Sequence, residues 1–192
     1  MIAIVKYNAG NIKSLKNALD RIGVESMITD DPDELRSAEK VIFPGVGEAG
    51  TAMSYLKDRG LDQVIKSLEQ PFLGICLGMQ LMCAHSEEKD TICLGIFKEK
   101  VKKFPPKGIV PHMGWNDFMR VEGPLFDGVG AKENMYFVHS YFAEVGEDTV
   151  GETDYLIPFT SALQRDNFYG VQFHPEKSAD VGRRLLENFL KL

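Results

Sequence analysis

Four short strand-like runs divide the first 75 residues, at 2–7, 24–29, 40–43 and 71–75. Each is too short for a core helix and carries apolar residues suited to a buried strand. The stretches between them have helical spacing. Ile12, Leu15, Ala18, Leu19 and Ile22 recur on one face, and Gly23 stands where that helix would stop. Further helices are expected at about 48–58 and 61–69. Strands that alternate with helices imply βαβ crossovers and a largely parallel sheet. From residue 91 to 173 the pattern changes to short strands and turns. Residues 159–164 and 168–173 read as a hairpin around Asp166-Asn167. The chain closes with a helix in ADVGRRLLENFLKL, where Val181, Leu185, Leu186 and Phe189 share a face. The expected fold is therefore α/β: a mostly parallel central sheet flanked by helices, with an antiparallel region added. At 192 residues, one domain over 1–192 is the default.

Composition removes some function classes. Twenty-two Lys and Arg stand against 28 Asp and Glu, a net charge of −6, which argues against a general nucleic-acid binder. No apolar run approaches a bilayer span, and MIAIVKYNAG lacks the form of a signal peptide. The three cysteines have no metal-ligand spacing, and a reducing, cytoplasmic setting fits them best.

One cysteine has an unusual frame. In PFLGICLGMQ, Cys76 lies between Gly74 and Gly78, after a strand and before a helix. A strand that turns at once into a helix leaves little room at the corner, and the two glycines remove side chains that would collide there. This is the logic of a nucleophile elbow, with cysteine in the usual serine position. The following helix would present its N-terminus to Cys76 and favour the thiolate. The N–H of Leu77 could face a developing oxyanion. Cys83, expected on that helix, and Cys93 lack such a frame and read as packing residues.

Of the four histidines, His85 in AHSEEKD reads as a solvated residue capping a helix end. His112 and His139 lie beside aromatic-rich strands and could be core or site. His174, in GVQFHPEK, follows an alternating strand, and Pro175 holds it extended. In an extended segment Glu176 points the same way as His174 and can fix its tautomer. Cys76, His174 and Glu176 thus form a Cys-His-Glu triad candidate for acyl transfer through a thioester. At this point amidase, peptidase and thioesterase chemistry all remain open.

GICLGMQ together with GVQFHPE resembles the class I (triad) glutamine amidotransferases, over essentially the whole chain and including the loop PGVG at 44–47. PHMGWN, YFVHSY, HPEKS and NAGNI narrow the resemblance to one branch of that family, the glutaminase subunits of imidazole glycerol phosphate synthases. The resemblance implies a flavodoxin-like sheet and no cofactor. It implies glutamine as substrate, with Cys76 the nucleophile, His174 the acid and base, and Glu176 its orienter. It also implies that Gly47 and Gln80 hold the substrate's polar groups, and that His139, Ser140 and Tyr141 seat its α-carboxylate. Ammonia would pass to a (βα)8-barrel cyclase subunit in a heterodimer, with Asn11, Met113, Trp115, Tyr136 and Lys177 toward that partner. Read without the resemblance, Met113 and Trp115 could simply be core. The oxyanion hole would combine Leu77 with Val46, provided that the Gly45–Val46 peptide turns its N–H inward. A glutaminase serving another synthase, a non-catalytic interaction protein of the same fold and a small cysteine peptidase are the competing readings.

Overall fold

The computed structural model describes residues 1–7 and 12–192; the expectation for Asn11 lies outside them. Strand β1 (Ile2–Val5) leads through α1 (Ile12–Arg21) to β2 (Ser26–Thr29). A short helix α2 (Pro32–Ser37), not expected from the apolar pattern, precedes β3 (Lys40–Phe43). Its start is nevertheless written locally. Asp31 accepts from the N–H groups of Asp33 and Glu34, and Pro32 opens the first turn. Helices α3 (Ala49–Asp58) and α4 (Leu61–Lys66) lead to β4 (Phe72–Ile75), and α5 (Leu77–Met82) follows immediately.

The second half is built of strands, as its pattern predicts: β5 (His85–Ser86), β6 (Thr91–Ile92), β7 (Lys100–Lys103), β8 (His112–Asn116), β9 (Arg120–Val121), β10 (Met135–His139), β11 (Tyr141–Ala143), β12 (Thr149–Tyr155), β13 (Ile157–Arg165) and β14 (Phe168–Val171). Helix α6 (Ala179–Lys191) closes the chain. His85 begins β5 rather than capping a helix, and its Nε2 lies 2.7 Å from Asp90 Oδ1. Cys83 lies just past α5 rather than within it.

The main sheet runs β2-β1-β3-β4-β14-β13-β11-β7-β5-β6. Its first five strands are parallel. The hairpin partner β13 then turns the sheet antiparallel. Alternate residues of the parallel strands feed two cores, one on each face. Val41, Phe43 and Phe72 pack with α3, α4 and α5. Ile42, Leu73 and Val171 pack with α1, α6 and a separate ribbon of β8 and β10. Structures of this doubly wound kind bind ligands at the carboxyl ends of their parallel strands. Here those ends carry Pro44 to Gly47 after β3, Cys76 after β4, and His174 beyond β14.

Candidate active site

Cys76 sits at φ 53°, ψ −110°, a conformation that costs a non-glycine residue about 1–3 kcal/mol. It holds that shape because both sides of the turn are fixed. The Cys76 N–H donates to Val171 O at 2.7 Å, and the Gln80 N–H donates to Cys76 O at 3.1 Å. The flanking glycines are required sterically. A Cβ at Gly78 would stand 1.8 Å from Phe43 O, and one at Gly74 would stand 2.8 Å from Met79 N. The elbow expected from the sequence is thus the observed geometry.

His174 is buried, and its Nδ1 lies 2.8 Å from Glu176 Oε1, in a side chain only 3% exposed. The pairing expected between these residues is present, but its route differs. Pro175–Lys177 is a single 3₁₀ turn, so Glu176 curls back to the ring instead of pointing along an extended strand. Burial disfavours the imidazolium, but the nearby Cys76 sulfur and Glu176 carboxylate favour it more, and the pKa rises to about 10.

The thiol opens on a cavity of about 330 Å3. Every residue assigned to the substrate by resemblance lines it: Gly47, Gln80, His139, Ser140 and Tyr141. Val46 and Leu77 line it as well. Gln80 also has a structural task. Its amide nitrogen donates to Tyr141 O and to Gln172 Oε1, both at 2.9 Å, leaving its carbonyl oxygen for a ligand.

Two residues absent from the sequence reading join the site. Gln172 is fully buried and its Nε2 donates to Cys76 Sγ at 3.6 Å, tying the thiol to Gln80. A polar residue inside a fully buried strand end was the available signal. Glu88 is the one carboxylate among the described residues lining the cavity. Burial raises its pKa, and the Ala49 N–H donates to it at 2.8 Å. Its sequence context, SEEKD, looks like a solvated run and gives no hint of this position.

The oxyanion pair is not assembled in this structure, and the peptide turn on which Val46 depends has not been made. The Leu77 N–H donates to Gly45 O at 3.3 Å. In a trans peptide the C=O and the next N–H point opposite ways, so the Val46 N–H is directed away from Leu77. Both donors converge only if the Gly45–Val46 peptide turns over.

His112 and His139 are both buried and resolve as a relay behind the cradle. His139 Nδ1 donates to Tyr141 O at 2.7 Å, and its Nε2 lies 3.0 Å from His112 Nδ1. Asn116 Nδ2 lies 3.3 Å from His112 Nε2. One tautomer set satisfies the row, with both rings neutral and protonated on Nδ1. Burial holds His139 down at about 3 and His112 at about 4. The unfolded chain therefore takes up protons below pH 6.5 that the folded chain refuses. Stability is full above that pH and falls as pH drops toward the folded values. For His139 alone the slope is about 1.4 kcal/mol per pH unit, or roughly 2 kcal/mol by pH 5. Urea titrations at pH 7 and pH 5 should show it. His139→Asn, which retains a donor, should reduce the difference; an unchanged difference would contradict the assignment.

On the solvent side of the ribbon, Met113 is 62% and Trp115 55% exposed, so neither is core. Trp115 meets Tyr136 edge to face at 5.9 Å, and the exposed Lys177 lies 5.9 Å over the Tyr136 ring. The four described residues assigned to a partner thus share one surface.

A thiol on a strand-to-helix elbow and a buried His–Glu pair meet at a small cavity at the parallel strand ends, an arrangement suited to acyl transfer through a thioester. The sequence profile of the glutamine amidotransferase class-I family matches residues 3–192, and the chain belongs to that family. Within it, imidazole glycerol phosphate synthase subunit HisH of Bacteroides thetaiotaomicron is 57% identical, covering 100% of this chain and 99% of the relative. The protein of that name from Sulfurimonas denitrificans is 46% identical, covering 100% and 98%. Among solved structures, a glutamine amidotransferase matches with a TM-score of 0.75 at 18% identity, covering 100% of this chain and 98% of its own. PurLQS of Thermotoga maritima matches at 0.73 and 16%, covering 99% and 97%. These two structures share the fold.

Proposed function

We propose that this chain, as one glutamine amidotransferase unit over residues 1–192, is the glutaminase subunit of an imidazole glycerol phosphate synthase. The observation that carries the chemistry is Cys76 on its strained elbow at the strand ends beside a buried His174 that Glu176 holds through Nδ1, with the His174 Nε2 left without a hydrogen-bond partner among the described residues. The Cys76 thiolate attacks the side-chain amide carbon of glutamine, and the carbonyl oxygen becomes an oxyanion. The His174 imidazolium gives its proton to the departing nitrogen, which leaves as ammonia, and a glutamyl thioester remains. Water then attacks that thioester and His174 takes its proton. Collapse releases glutamate and restores the thiolate. Glu176 holds the ring in place throughout. The α-carboxylate of glutamine lies against His139, Ser140 and Tyr141, and its ammonium faces Glu88. A cavity of this size suits a free amino acid better than an extended peptide.

The exposed face of β8 and β10 is the docking surface for the cyclase subunit, a (βα)8 barrel. The same ribbon carries the Val138 carbonyl, 3.9 Å from Cys76 Sγ, so a partner on that face lies close to where ammonia is released. The three free cysteines fit a reducing, cytoplasmic compartment, and no described helix is long and apolar enough to cross a membrane.

Mixing the chain with the cyclase subunit and its phosphoribulosyl substrate should give glutamine-dependent product. Ammonium salts should replace glutamine and bypass this subunit. Product formation by the isolated chain, or a mixture that uses ammonium but never glutamine, would overturn the reading.

A further inference from the structure

Tyr7 is nearly fully buried, and its hydroxyl makes no hydrogen bond among the described residues. A buried hydroxyl without a partner is costly, and a fold retains one where another state uses it. The ring is wedged against Phe43, with centroids 5.1 Å apart. That contact aims the hydroxyl at the PGVG loop. A Cβ built on Gly45 would lie 1.9 Å from the Tyr7 oxygen, so the phenol is in close contact with the peptide that must turn over. Burial and the nearby Cys76 sulfur both raise the Tyr7 pKa, so the phenol keeps its proton and can only act as a neutral donor or acceptor.

The hydrogen-bond count of the two peptide orientations gives the phenol a role. As observed, Gly45 O accepts from the Leu77 N–H and Tyr7 donates to nothing. In the turned state, the Val46 and Leu77 N–H groups both face the substrate oxygen, and Gly45 O loses its donor. An unpaired carbonyl in that place would oppose the turn. We propose that the Tyr7 hydroxyl donates to Gly45 O in the turned state and so holds the oxyanion hole open as a positioning residue. The phenol touches no substrate; it sets the balance between the two orientations. This inference rests on the glutaminase reading given above.

The test is Tyr7→Phe, which keeps the ring against Phe43 and removes only the oxygen. Four quantities are measured on the chain with its cyclase subunit and the phosphoribulosyl substrate: kcat and KM for glutamine, the melting temperature, and the rate of Cys76 alkylation by iodoacetamide. One buried carbonyl left unpaired predicts a fall in kcat of about 10- to 100-fold. KM and the alkylation rate should stay put, because neither requires the turned peptide, and the melting temperature should not fall. An unchanged kcat, or a raised KM with kcat retained, overturns the proposal. A kcat that falls together with melting temperature and alkylation marks a structural residue and also overturns it. A wild-type complex without glutaminase activity would instead refute the underlying reading.

Discussion

Cys76→Ala should lower glutamine hydrolysis by about 10⁶-fold, to background, while the protein stays folded, because Cys76 is the one cysteine among the described residues lining the cavity. The companion variant Cys76→Gly separates chemistry from backbone strain. It should be equally inactive, yet more stable than Cys76→Ala by about 1 kcal/mol, since glycine occupies φ 53° without a Cβ penalty. Glutamate release and thermal melting of both variants check the two statements together. An alanine variant with normal turnover would remove Cys76 from the chemistry. A glycine variant that melts below the alanine one would remove strain from the account of the elbow.

The free chain should hydrolyse glutamine about 10²–10³ times more slowly than the complex loaded with the cyclase's substrate, the usual effect of one missing oxyanion donor. The cause is the Leu77 N–H bond to Gly45 O, which fixes the peptide with the Val46 N–H turned away. Turning it changes ψ of Gly45 and φ of Val46, and a β-branched residue resists unusual φ values where glycine does not. Val46→Gly should therefore raise the rate of the free chain and narrow its gap to the complex. Steady-state glutaminase assays with and without the partner measure both. Equal rates for the free wild-type chain and the loaded complex would rule the switch out.

Much of this arrangement can be read from local sequence signals. Strands β1, β3 and β4 announce themselves because a strand buried on both faces reads as a short, nearly continuous apolar run. The elbow is equally plain, since Gly74 and Gly78 answer a clash that a reader can foresee. The misses share a different origin. Helix α2 shows only a capping signature and one buried residue, Leu35, so periodicity has nothing to detect. His85 sits in a short strand because β7 pairs with it from fifteen residues away, a contact that local composition does not contain. Glu88 and Gln172 become site residues only when the 3₁₀ turn after β5 and the end of β14 are brought to the cavity. Glu176 reaches His174 through a turn that an extended reading of X-Pro hides. Met113 and Trp115 illustrate the reverse: their apolar character suggests core, and only the placement of the ribbon shows them facing outward.

The pairing of β4 with β14 sets Ile75 opposite Val171, so Cys76 and His174 are aligned by a parallel ladder between segments almost a hundred residues apart in the chain. A slip of one residue would displace His174 by about 3.3 Å along the ladder and turn its ring to the opposite face. Such a mispaired molecule could keep its helices, its mass and much of its circular dichroism. It could not turn over substrate. Specific activity is thus a direct assay of strand alignment in this protein, and in refolding experiments its recovery should lag behind the return of secondary structure.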